Sequence, residues 1–293
     1  MNSSSPTICV VGSSNIDQIA YTDRVPESGE TLIGKSFEMG FGGKGANQAI
    51  MAGILGADTY MITCLGDDPY AEMTIENYKK SNVNIDYIQR VAGSSGVAPI
   101  WVEEDGTNRI IVVSGANDHL NPEEAIKGID KIDNLSVVVG QFEIPQEATC
   151  KVFQHCREKE IQTILNPAPA QDVIEGLLEV SNWFIPNEVE FKIISNGGDA
   201  ESDEDIINFS KEIASELIIT IGENGAVTVE DGKVVRMPAP KVNAVDTTGA
   251  GDAFIGAFSY GIGSGKTKMD SIQLGIERAS DSVTRNGTQS SFR

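Results

Sequence analysis

Short apolar runs alternate with amphipathic stretches along most of this chain. The runs have apolar side chains at consecutive positions, which is typical of strands buried on both faces of a sheet. They lie at 8–11, 60–64, 137–139, 163–165, 183–185, 217–221 and 226–229. Helical patterns lie between or after them at 45–55, 69–81, 147–159, 203–215, 253–260 and 268–283. Strands that alternate with helices predict an α/β fold, with a doubly wound, mostly parallel sheet flanked by helices.

Two segments depart from this alternation. Residues 16–42 are rich in glycine and polar side chains, and residues 97–113 have strand patterns on both sides of the hairpin signal Asp105-Gly106. The apolar runs of the first segment lie at 19–21, 31–33 and 36–39. Strands without crossover helices predict a small separate sheet, a lid built from insertions in a single domain that spans 1–293. We expect this sheet to cover a ligand and to form a dimer surface, the alternative being an ordinary surface hairpin.

The composition restricts the classes of partner. Of the 293 residues, 22 are Lys or Arg and 43 are Asp or Glu, a net charge of −21. This charge argues against nucleic acid or an anionic membrane surface, and an anionic substrate must be held by local donors. No apolar run is long enough to span a bilayer, and Met1–Pro6 lacks the features of a signal peptide. We therefore expect a cytoplasmic protein with reduced core thiols at Cys9, Cys64, Cys150 and Cys156.

The segment Asp-Thr-Thr-Gly-Ala-Gly-Asp at 246–252 precedes an apolar helical stretch. Gly249, Ala250 and Gly251 would open that helix with little side-chain bulk. The unpaired N–H groups and the dipole of a helix start favour an anion, phosphate above all. Asp252, in the first turn, could accept the proton of a bound hydroxyl, so the segment has the parts for phosphoryl transfer to an alcohol. The alternative is a glycine-rich turn with an aspartate in a favourable helical position.

Two further polar segments follow predicted strands. In Gly40–Asn47, glycines would let the backbone approach a small polyol, and the Asn47 amide can both donate and accept. Lys44 would neutralise phosphate or lie at the surface as a simple charge. Asn15 and Asp17 follow the first strand, at the sheet edge where open α/β sheets bind ligands. The alternatives are a tight turn in the first segment and an Asx turn in the second.

Other patterns do not meet the requirements of known motifs. Gly261 and Gly265 are separated by three residues rather than the four of a P-loop, and the segment before them is helical rather than a strand. A nicotinamide-dependent dehydrogenase would have Gly-x-Gly-x-x-Gly after the first strand, which is absent here. His119 and His155 have no partners at motif spacing, and we expect both to be structural.

From Ile8 to Ser291 the chain resembles the ribokinase (PfkB-type) family of carbohydrate kinases, and within it the ribokinase branch. The segments that carry the resemblance are 12–17, 42–47, 141–143, 165–170, 186–190, 220–225, 246–252 and 283–291. The resemblance implies ATP-dependent phosphorylation of the 5-hydroxyl of D-ribose to give D-ribose 5-phosphate. The alternatives are a kinase of the same fold for adenosine, fructose or a deoxysugar, or a non-catalytic sugar-binding protein.

The resemblance also implies roles for particular residues, with ATP and Mg²⁺ required, a monovalent cation (usually K⁺) bound, and a homodimer formed through the lid. Asp252 would be the base, and Gly249, Ala250 and Gly251 the anion hole. The sugar site would comprise Asn15, Asp17, Gly42, Gly43, Lys44, Asn47 and Glu143. Asn187 and Glu190 would organise Mg²⁺ and phosphate, and Thr220, Gly222, Gly225 and Gly251 would contact the nucleotide. The K⁺ ligands, mostly backbone carbonyls, would come from Asp246, Thr248, Ser282, Arg285, Gly287 and Ser291. Members of the family usually continue beyond the position of Arg293 through a short C-terminal segment.

Overall fold

A twisted sheet with helices on both faces forms the centre of the molecule. The computed structural model describes residues 5–293, so Met1–Ser4, where we expect no signal peptide, lie outside the described residues. The strands are β1 Thr7–Val11, β2 Asn15–Tyr21, β3 Ser36–Gly42, β4 Asp58–Ile62, β5 Cys64–Leu65, β6 Val83–Asn84, β7 Gln89–Arg90, β8 Gly96–Val102, β9 Asn108–Ile110, β10 Leu135–Gly140, β11 Gln162–Leu165, β12 Trp183–Phe184, β13 Glu216–Thr220, β14 Ala226–Glu230 and β15 Lys233–Met237. The α-helices are α1 Lys44–Ile54, α2 Pro69–Lys80, α3 Pro122–Ile129, α4 Gln146–Glu158, α5 Glu188–Ile194, α6 Asp203–Glu212, α7 Ala250–Gly263 and α8 Lys268–Ser282.

The main sheet confirms the predicted α/β class. Its nine strands run in the order β15-β14-β13-β12-β11-β10-β1-β4-β6. Pairing is parallel from β6 to β13, and β14 pairs in antiparallel orientation with both β13 and β15. The carboxyl ends of the parallel strands therefore meet at one edge of the sheet, where ligands bind in folds of this kind.

Side chains of each central strand alternate between two apolar cores. Ile8 and Val10 of β1 pack with α1, α7 and α8, whereas Cys9 and Val11 pack with α3, α4 and α6 on the other face. Such strands need apolar residues at every position, which is why they are visible in the sequence as continuous runs. All four cysteines are free and buried in these cores, in agreement with the prediction that they are core thiols.

The predicted lid is a separate four-stranded sheet in the order β3-β2-β8-β9. Strand β2 pairs with β3 in antiparallel and with β8 in parallel orientation, and β8 forms the predicted hairpin with β9. Strand β2 begins only three residues after β1 ends, so the first residues of the lid lie at the ligand-binding edge of the main sheet.

Several predicted boundaries were wrong, each for a local reason. Residues 31–33 do not form a strand, because the β2–β3 ladder begins at the pair Tyr21–Ser36 and these residues belong to the connection. Cys64 is not part of β4 but of β5, which pairs with β7 in a two-stranded sheet. The apolar stretch 253–260 is the interior of a longer helix, α7, which begins at Ala250, as expected for a helix that Gly249, Ala250 and Gly251 open. The sequence analysis missed α3, α5 and β15, all of which are short or amphipathic.

None of the helices between residues 5 and 293 is long and apolar enough to cross a membrane.

The backbone is closely packed where α1 begins. A Cβ atom on Gly45 would lie 2.7 Å from the Ser13 nitrogen and 2.8 Å from the backbone of Gly12. We expect Gly45→Ala to lower the free energy of unfolding by about 2 kcal/mol, since these backbone atoms cannot move aside cheaply. Gly53→Ala in the same helix is the matched control, because the nearest atom to its Cβ would be the Ser81 oxygen at 3.3 Å.

Urea unfolding of both variants measures the difference. We expect Gly53→Ala to stay within about 1 kcal/mol of the wild type, because alanine also has the higher helix propensity. Equal stability of the two alanine variants would contradict the packing argument.

Candidate active site

A cavity of about 170 Å³ lies at the carboxyl edge of the main sheet. It is lined by Lys44, Asn166, Ala168, Ile185, Asn187, Glu190, Thr220, Gly249, Gly251, Asp252 and Ile255. The structure therefore brings together residues that sequence analysis assigned to the base, the anion hole, the Mg²⁺ pair and the nucleotide loop, although they come from distant segments. The P-loop-like segment 263–267 lies elsewhere, between the end of α7 and the start of α8.

The start of α7 forms one wall of this cavity. Gly249 is the N-cap and has a φ of +78°, and its hydrogen faces the Thr288 methyl, which a Cβ would approach to 2.3 Å. Beside Gly251, by contrast, there is open space. The N–H groups of Gly251 and Asp252 have no hydrogen-bond acceptor among residues 5–293. Unpaired donors at a helix start, open to a cavity, suit an anion.

The Asp252 carboxylate is buried at the edge of the cavity, with 6% of the residue exposed. Its Oδ2 accepts a hydrogen bond from Asn47 Nδ2 at 2.8 Å, and its Oδ1 accepts one from Gln48 Nε2 at 2.9 Å. Both donors are neutral amides on consecutive residues of α1. Each carboxylate oxygen thus keeps acceptor capacity for a further partner, such as a substrate hydroxyl.

Lys44 is a half-buried cation among carboxylates. Burial lowers the pKa of its ammonium group, but the charges of Asp252, Glu143 and Glu190 outweigh this effect and hold the pKa above its ordinary value. Lys44 therefore stays charged at neutral pH. It supplies local positive charge for an anion in a protein whose net charge is strongly negative.

Asp17 lies on the lid side of the same region. Burial is the main reason that the pKa of its carboxyl rises from 3.8 to about 6, and the charges of Glu143 and Asp252 add to this. No side-chain or backbone donor in the described part of the chain hydrogen-bonds its carboxylate. A half-buried acceptor without a protein partner is suited to a ligand that brings hydroxyl groups.

Glu143 and Asn15 are held in place beside Asp17. Glu143 Oε2 accepts hydrogen bonds from Ser13 Oγ at 2.6 Å and from the Lys44 N–H at 2.9 Å. Asn15 is 4% exposed, and its Oδ1 accepts a hydrogen bond from Asn117 Nδ2 at 2.8 Å, which leaves its own amide N–H groups to donate. Asp17, Glu143 and Asp252 are close enough for their charges to interact, but Asn15, Asp17 and Glu143 do not line the cavity described above.

The glycines of the second glycine-rich segment allow this close packing. Gly43, the N-cap of α1, has a φ of +89°, and a Cβ there would lie 2.8 Å from the Asn15 nitrogen. A Cβ on Gly42 would lie 2.4 Å from the nearer Asp17 carboxylate oxygen. Glycine at these positions is thus required by protein packing, whatever the ligand.

Asn187 and Glu190 form the capping box of α5. Asn187 Oδ1 accepts the Glu190 N–H at 2.8 Å, and Glu190 Oε2 accepts the Asn187 N–H at 2.8 Å. Burial raises the pKa of the Glu190 carboxyl more than its bond from Asn187 and the nearby Lys44 lower it. A carboxylate that is costly to charge, with one oxygen left for the cavity, has the donor chemistry that Mg²⁺ prefers.

The residues predicted to bind the nucleotide lie at and after the end of β13. Thr220 lines the cavity and pairs with Asn187 in a short parallel bridge. Gly225 has a φ of +96° and packs so closely against β15 that a Cβ would lie 2.1 Å from the Met237 oxygen. Gly222, with a φ of +53°, has open space beside it. Gly225 is therefore needed for the turn, whereas Gly222 leaves room for a ligand.

Five of the six predicted K⁺ ligands lie on two adjoining loops, before α7 and after α8, and the sixth, Ser282, is the last residue of α8. Asp246 joins the loops, because its carboxylate accepts the N–H groups of Thr248 and Gly287, both at 2.9 Å. Although burial raises its pKa, the bonds from Thr248 and Gly287 outweigh this and lower it. Arg285 connects Ser282 with Ser291. Its side-chain Nε donates to the Ser291 carbonyl at 2.8 Å, and its backbone N–H donates to the Ser282 carbonyl at 3.3 Å.

The Asp246 carboxylate could help to hold a monovalent cation, whereas the Ser282 and Ser291 carbonyls already accept hydrogen bonds from Arg285. Within residues 5–293, no three His, Cys, Asp or Glu side chains are grouped to hold a metal ion by themselves. Any bound cation would therefore rely on backbone carbonyls or water for most of its ligands.

Sequence analysis did not identify several polar residues of the site. Gln48, Gln141, Asn166 and Gln289 form hydrogen bonds to Asp252, to Asn47 or to each other. Asn166 and Gln141 lie inside segments that carry the family resemblance, and Gln48 directly follows one. Their amides have no characteristic spacing, so no local pattern identifies them.

Comparison with known proteins agrees with this geometry. The model of the pfkB family carbohydrate kinases matches residues 5–293. A deoxyribokinase of Salmonella typhimurium is 37% identical over 292 residues, covering 97% of this chain and 95% of the relative. A ribokinase of Bacillus subtilis is 37% identical over 286 residues, covering 96% and 94%. The structure of Arabidopsis thaliana ribokinase complexed with ribose and ATP has a TM-score of 0.90 at 28% identity, covering 99% of this chain and 96% of that one.

The family match spans nearly the whole chain, and both curated relatives are well above 30% identity. Together with a cavity that joins an anion-binding helix start to a buried carboxylate, these similarities identify the chain as a ribokinase-type carbohydrate kinase of the PfkB family.

Proposed function

We propose that this kinase transfers the γ-phosphoryl group of ATP to the 5-hydroxyl of D-ribose, giving ADP and D-ribose 5-phosphate. The observation that carries the proposal is the position of Asp252. Its buried carboxylate lies in the first turn of α7, beside N–H groups that have no acceptor in residues 5–293. Proton acceptor and anion site are thus part of one rigid element.

In the proposed reaction, Asp252 accepts the proton of the 5-hydroxyl as the sugar oxygen forms its bond to phosphorus. The bond between that phosphorus and the bridging oxygen of ADP breaks, and its electrons remain on ADP. The backbone N–H groups at the start of α7, of which those of Gly251 and Asp252 are unpaired among residues 5–293, stabilise the negative charge on the transferring group. Lys44 adds positive charge from the other side of the cavity.

The sugar would lie between the lid and the main sheet. Asn15, Asp17, Asn47 and Glu143 supply acceptors and amide donors for hydroxyl groups, and Gly42 and Gly43 let the chain approach closely. The 37% identity to a deoxyribokinase equals that to a ribokinase. Deoxyribose is therefore the second candidate substrate.

Two cations complete the proposal. Glu190, with Asn187, would hold Mg²⁺ through water, and the ion would neutralise charge on the phosphates. The loops of Asp246, Thr248, Ser282, Arg285, Gly287 and Ser291 would bind K⁺. Thr288 of the second loop contacts Gly249, so the shape of this loop bears directly on the anion hole.

The lid face that bears Asp17 would cover the sugar and exclude water during transfer. Side chains alternate along a strand, and Phe37 and Met39 pair with Ala20 and Gln18, so they lie on the opposite face. They are 62% and 45% exposed. We propose that this outer apolar face packs against the lid of a second copy of the chain.

The first prediction concerns substrate and base. ADP release with Mg·ATP should be fastest with ribose, compared with deoxyribose, fructose and adenosine, and should rise when K⁺ is added. Asp252→Asn should lower kcat at least ~10²-fold, because no carboxylate remains to accept the proton.

Asp270→Asn is the matched control, because Asp270 occupies the equivalent first-turn position of α8. It should keep wild-type turnover. Faster turnover of another sugar would overturn the ribose assignment, and near-wild-type kcat of Asp252→Asn would remove Asp252 from the role of base.

The second prediction is that Asp17 improves sugar binding at the expense of stability. With its pKa raised to about 6, the carboxyl destabilises the folded state above pH 6, and this cost disappears as the pH falls towards 4. Asp17→Asn should therefore raise the free energy of unfolding at pH 7 by up to ~3 kcal/mol and have no such advantage near pH 4. The KM for ribose should rise in the same variant.

Denaturant unfolding at the two pH values and steady-state kinetics at pH 7 measure both effects. Asp58→Asn, at an exposed position of β4, should change neither. A variant at position 17 that is destabilised at pH 7, or that keeps the wild-type KM, would contradict the assignment.

The third prediction concerns assembly. Light scattering across protein concentration should give the mass of two chains for the wild type and of one chain for Phe37→Glu, since the charge would be buried between the two lids. Ile54→Glu, at a position 41% exposed at the end of α1, is the control and should stay dimeric. A stable wild-type monomer with full activity would exclude the proposed dimer.

A further inference from the structure

Gln48 is a fully buried glutamine directly behind the Asp252 carboxylate. The residue has no exposed surface, although its neighbours Ala46, Ala49 and Ile50 show that this part of α1 packs into an apolar core. Burying an amide in such a place is unfavourable unless every polar atom is hydrogen-bonded. An apolar side chain would satisfy the packing equally well, so packing alone does not explain a glutamine here.

All the polar atoms of Gln48 have partners. Its Nε2 donates to Asp252 Oδ1 at 2.9 Å and to Asn166 Oδ1 at 3.1 Å, and its Oε1 accepts from Gln141 Nε2 at 2.7 Å. The two N–H groups of one amide thus connect a carboxylate of the cavity with a side chain from the end of β11. This is the full bonding capacity of the amide nitrogen.

The direction of the amide is also fixed. Asn166 Nδ2 donates to the Ile185 carbonyl at 3.0 Å, so only its oxygen can face Gln48. Gln141 offers a donor to the other end of the Gln48 amide. A backbone carbonyl and a second glutamine therefore hold the nitrogen of Gln48 towards Asp252, and the reversed orientation would lose these bonds.

The second oxygen of Asp252 is held in the same way from the opposite side. Asn47 Oδ1 accepts from Gln289 Nε2 at 2.9 Å, which directs the Asn47 nitrogen to Asp252 Oδ2. Gln289 Oε1 in turn accepts from Asn77 Nδ2 at 2.8 Å. Each carboxylate oxygen thus has one donor, and each donor is oriented by a further amide.

We propose that Gln48 is a positioning residue for the catalytic base, an inference that rests on the proposed role of Asp252. With Asn47, it fixes the plane of the carboxylate, so the remaining lone pairs face the cavity where the sugar hydroxyl would lie. Gln48 itself has no exposed surface and does not line the cavity, and therefore acts through Asp252 and not on the substrate.

The test is a comparison of Gln48→Met with Gln146→Met. Methionine keeps the length of the side chain and removes the amide. We expect Gln48→Met to lower kcat roughly 10–100-fold, the cost of a misaligned catalytic group, with the KM values for ribose and ATP unchanged.

Gln146 is a matched control. It is also a largely buried glutamine, 9% exposed, with its amide bonded at both ends, to the Asp172 carbonyl and the Ile174 N–H. It lies at the start of α4, on the other face of the sheet. Gln146→Met should lower stability and leave kcat unchanged.

A double-mutant cycle distinguishes positioning from a structural role. If Gln48 acts through Asp252, Gln48→Met should lower kcat no further in the Asp252→Asn background. The same fold-loss in both backgrounds would overturn the inference, as would wild-type kcat for Gln48→Met alone. Near-wild-type turnover by Asp252→Asn would instead overturn the proposed function itself, so the two failures are distinguishable.

Gln141→Met provides a second variant in case Gln48→Met does not fold. Gln141 Oε1 is buried without a hydrogen-bond partner in the described chain, so removing this oxygen breaks no hydrogen bond. The substitution removes the donor that orients Gln48. We expect a smaller fall in kcat than for Gln48→Met, and again none in the Asp252→Asn background. An unchanged kcat for a folded Gln141→Met protein would count against the inference.

Discussion

The close packing of α1 against α7 is the contact on which the candidate active site depends. A Cβ on Gly256 would lie 2.6 Å from the Gln48 carbonyl and 2.7 Å from Met51 Cβ, so glycine at 256 sets the separation of the two helices. At this separation, Asn47 and Gln48 of α1 reach Asp252 of α7. The apolar core that holds the helices together also includes Ile8 and Val10 of β1. The packing of the core therefore also determines how the proposed base is oriented.

The electrostatics of the site differ from those of the molecule as a whole. The chain has a net charge of −21, and Asp17, Glu143, Glu190 and Asp252 concentrate further negative charge at the cavity. Against this stand the ammonium group of Lys44 and the N–H groups at the start of α7. An anionic substrate is thus attracted only at short range, where the low dielectric of a buried site strengthens these few donors.

The sequence predicted the parts of the fold whose burial is complete. Strands such as β1 and β10 are buried on both faces and form continuous apolar runs, so the parallel sheet was foreseeable. Helix α5 was not, because it spans only seven residues and its start, Asn187 with Glu190, is equally typical of a metal-binding pair. The roles of Gln48 and Gln289 depend on contacts between residues more than 200 positions apart, which no local pattern encodes. The motif at 246–252, by contrast, combines a helix start with a carboxylate in seven residues.

The proposed site is divided between the lid sheet, which includes β2, and the main part of the molecule. Asn15 and Asp17 belong to the lid sheet, whereas Asp252 and the anion-binding helix start belong to the rigid core beneath it. Only residues 12–14 connect β2 with β1. A rotation about this short link would carry Asn15 and Asp17 away from Asp252, whereas Asn47 of α1 and Glu143, which follows β10, would stay with the main sheet. The open molecule would then lack the lid half of the sugar pocket, and the full set of groups that distinguish one sugar from another would exist only in the closed form.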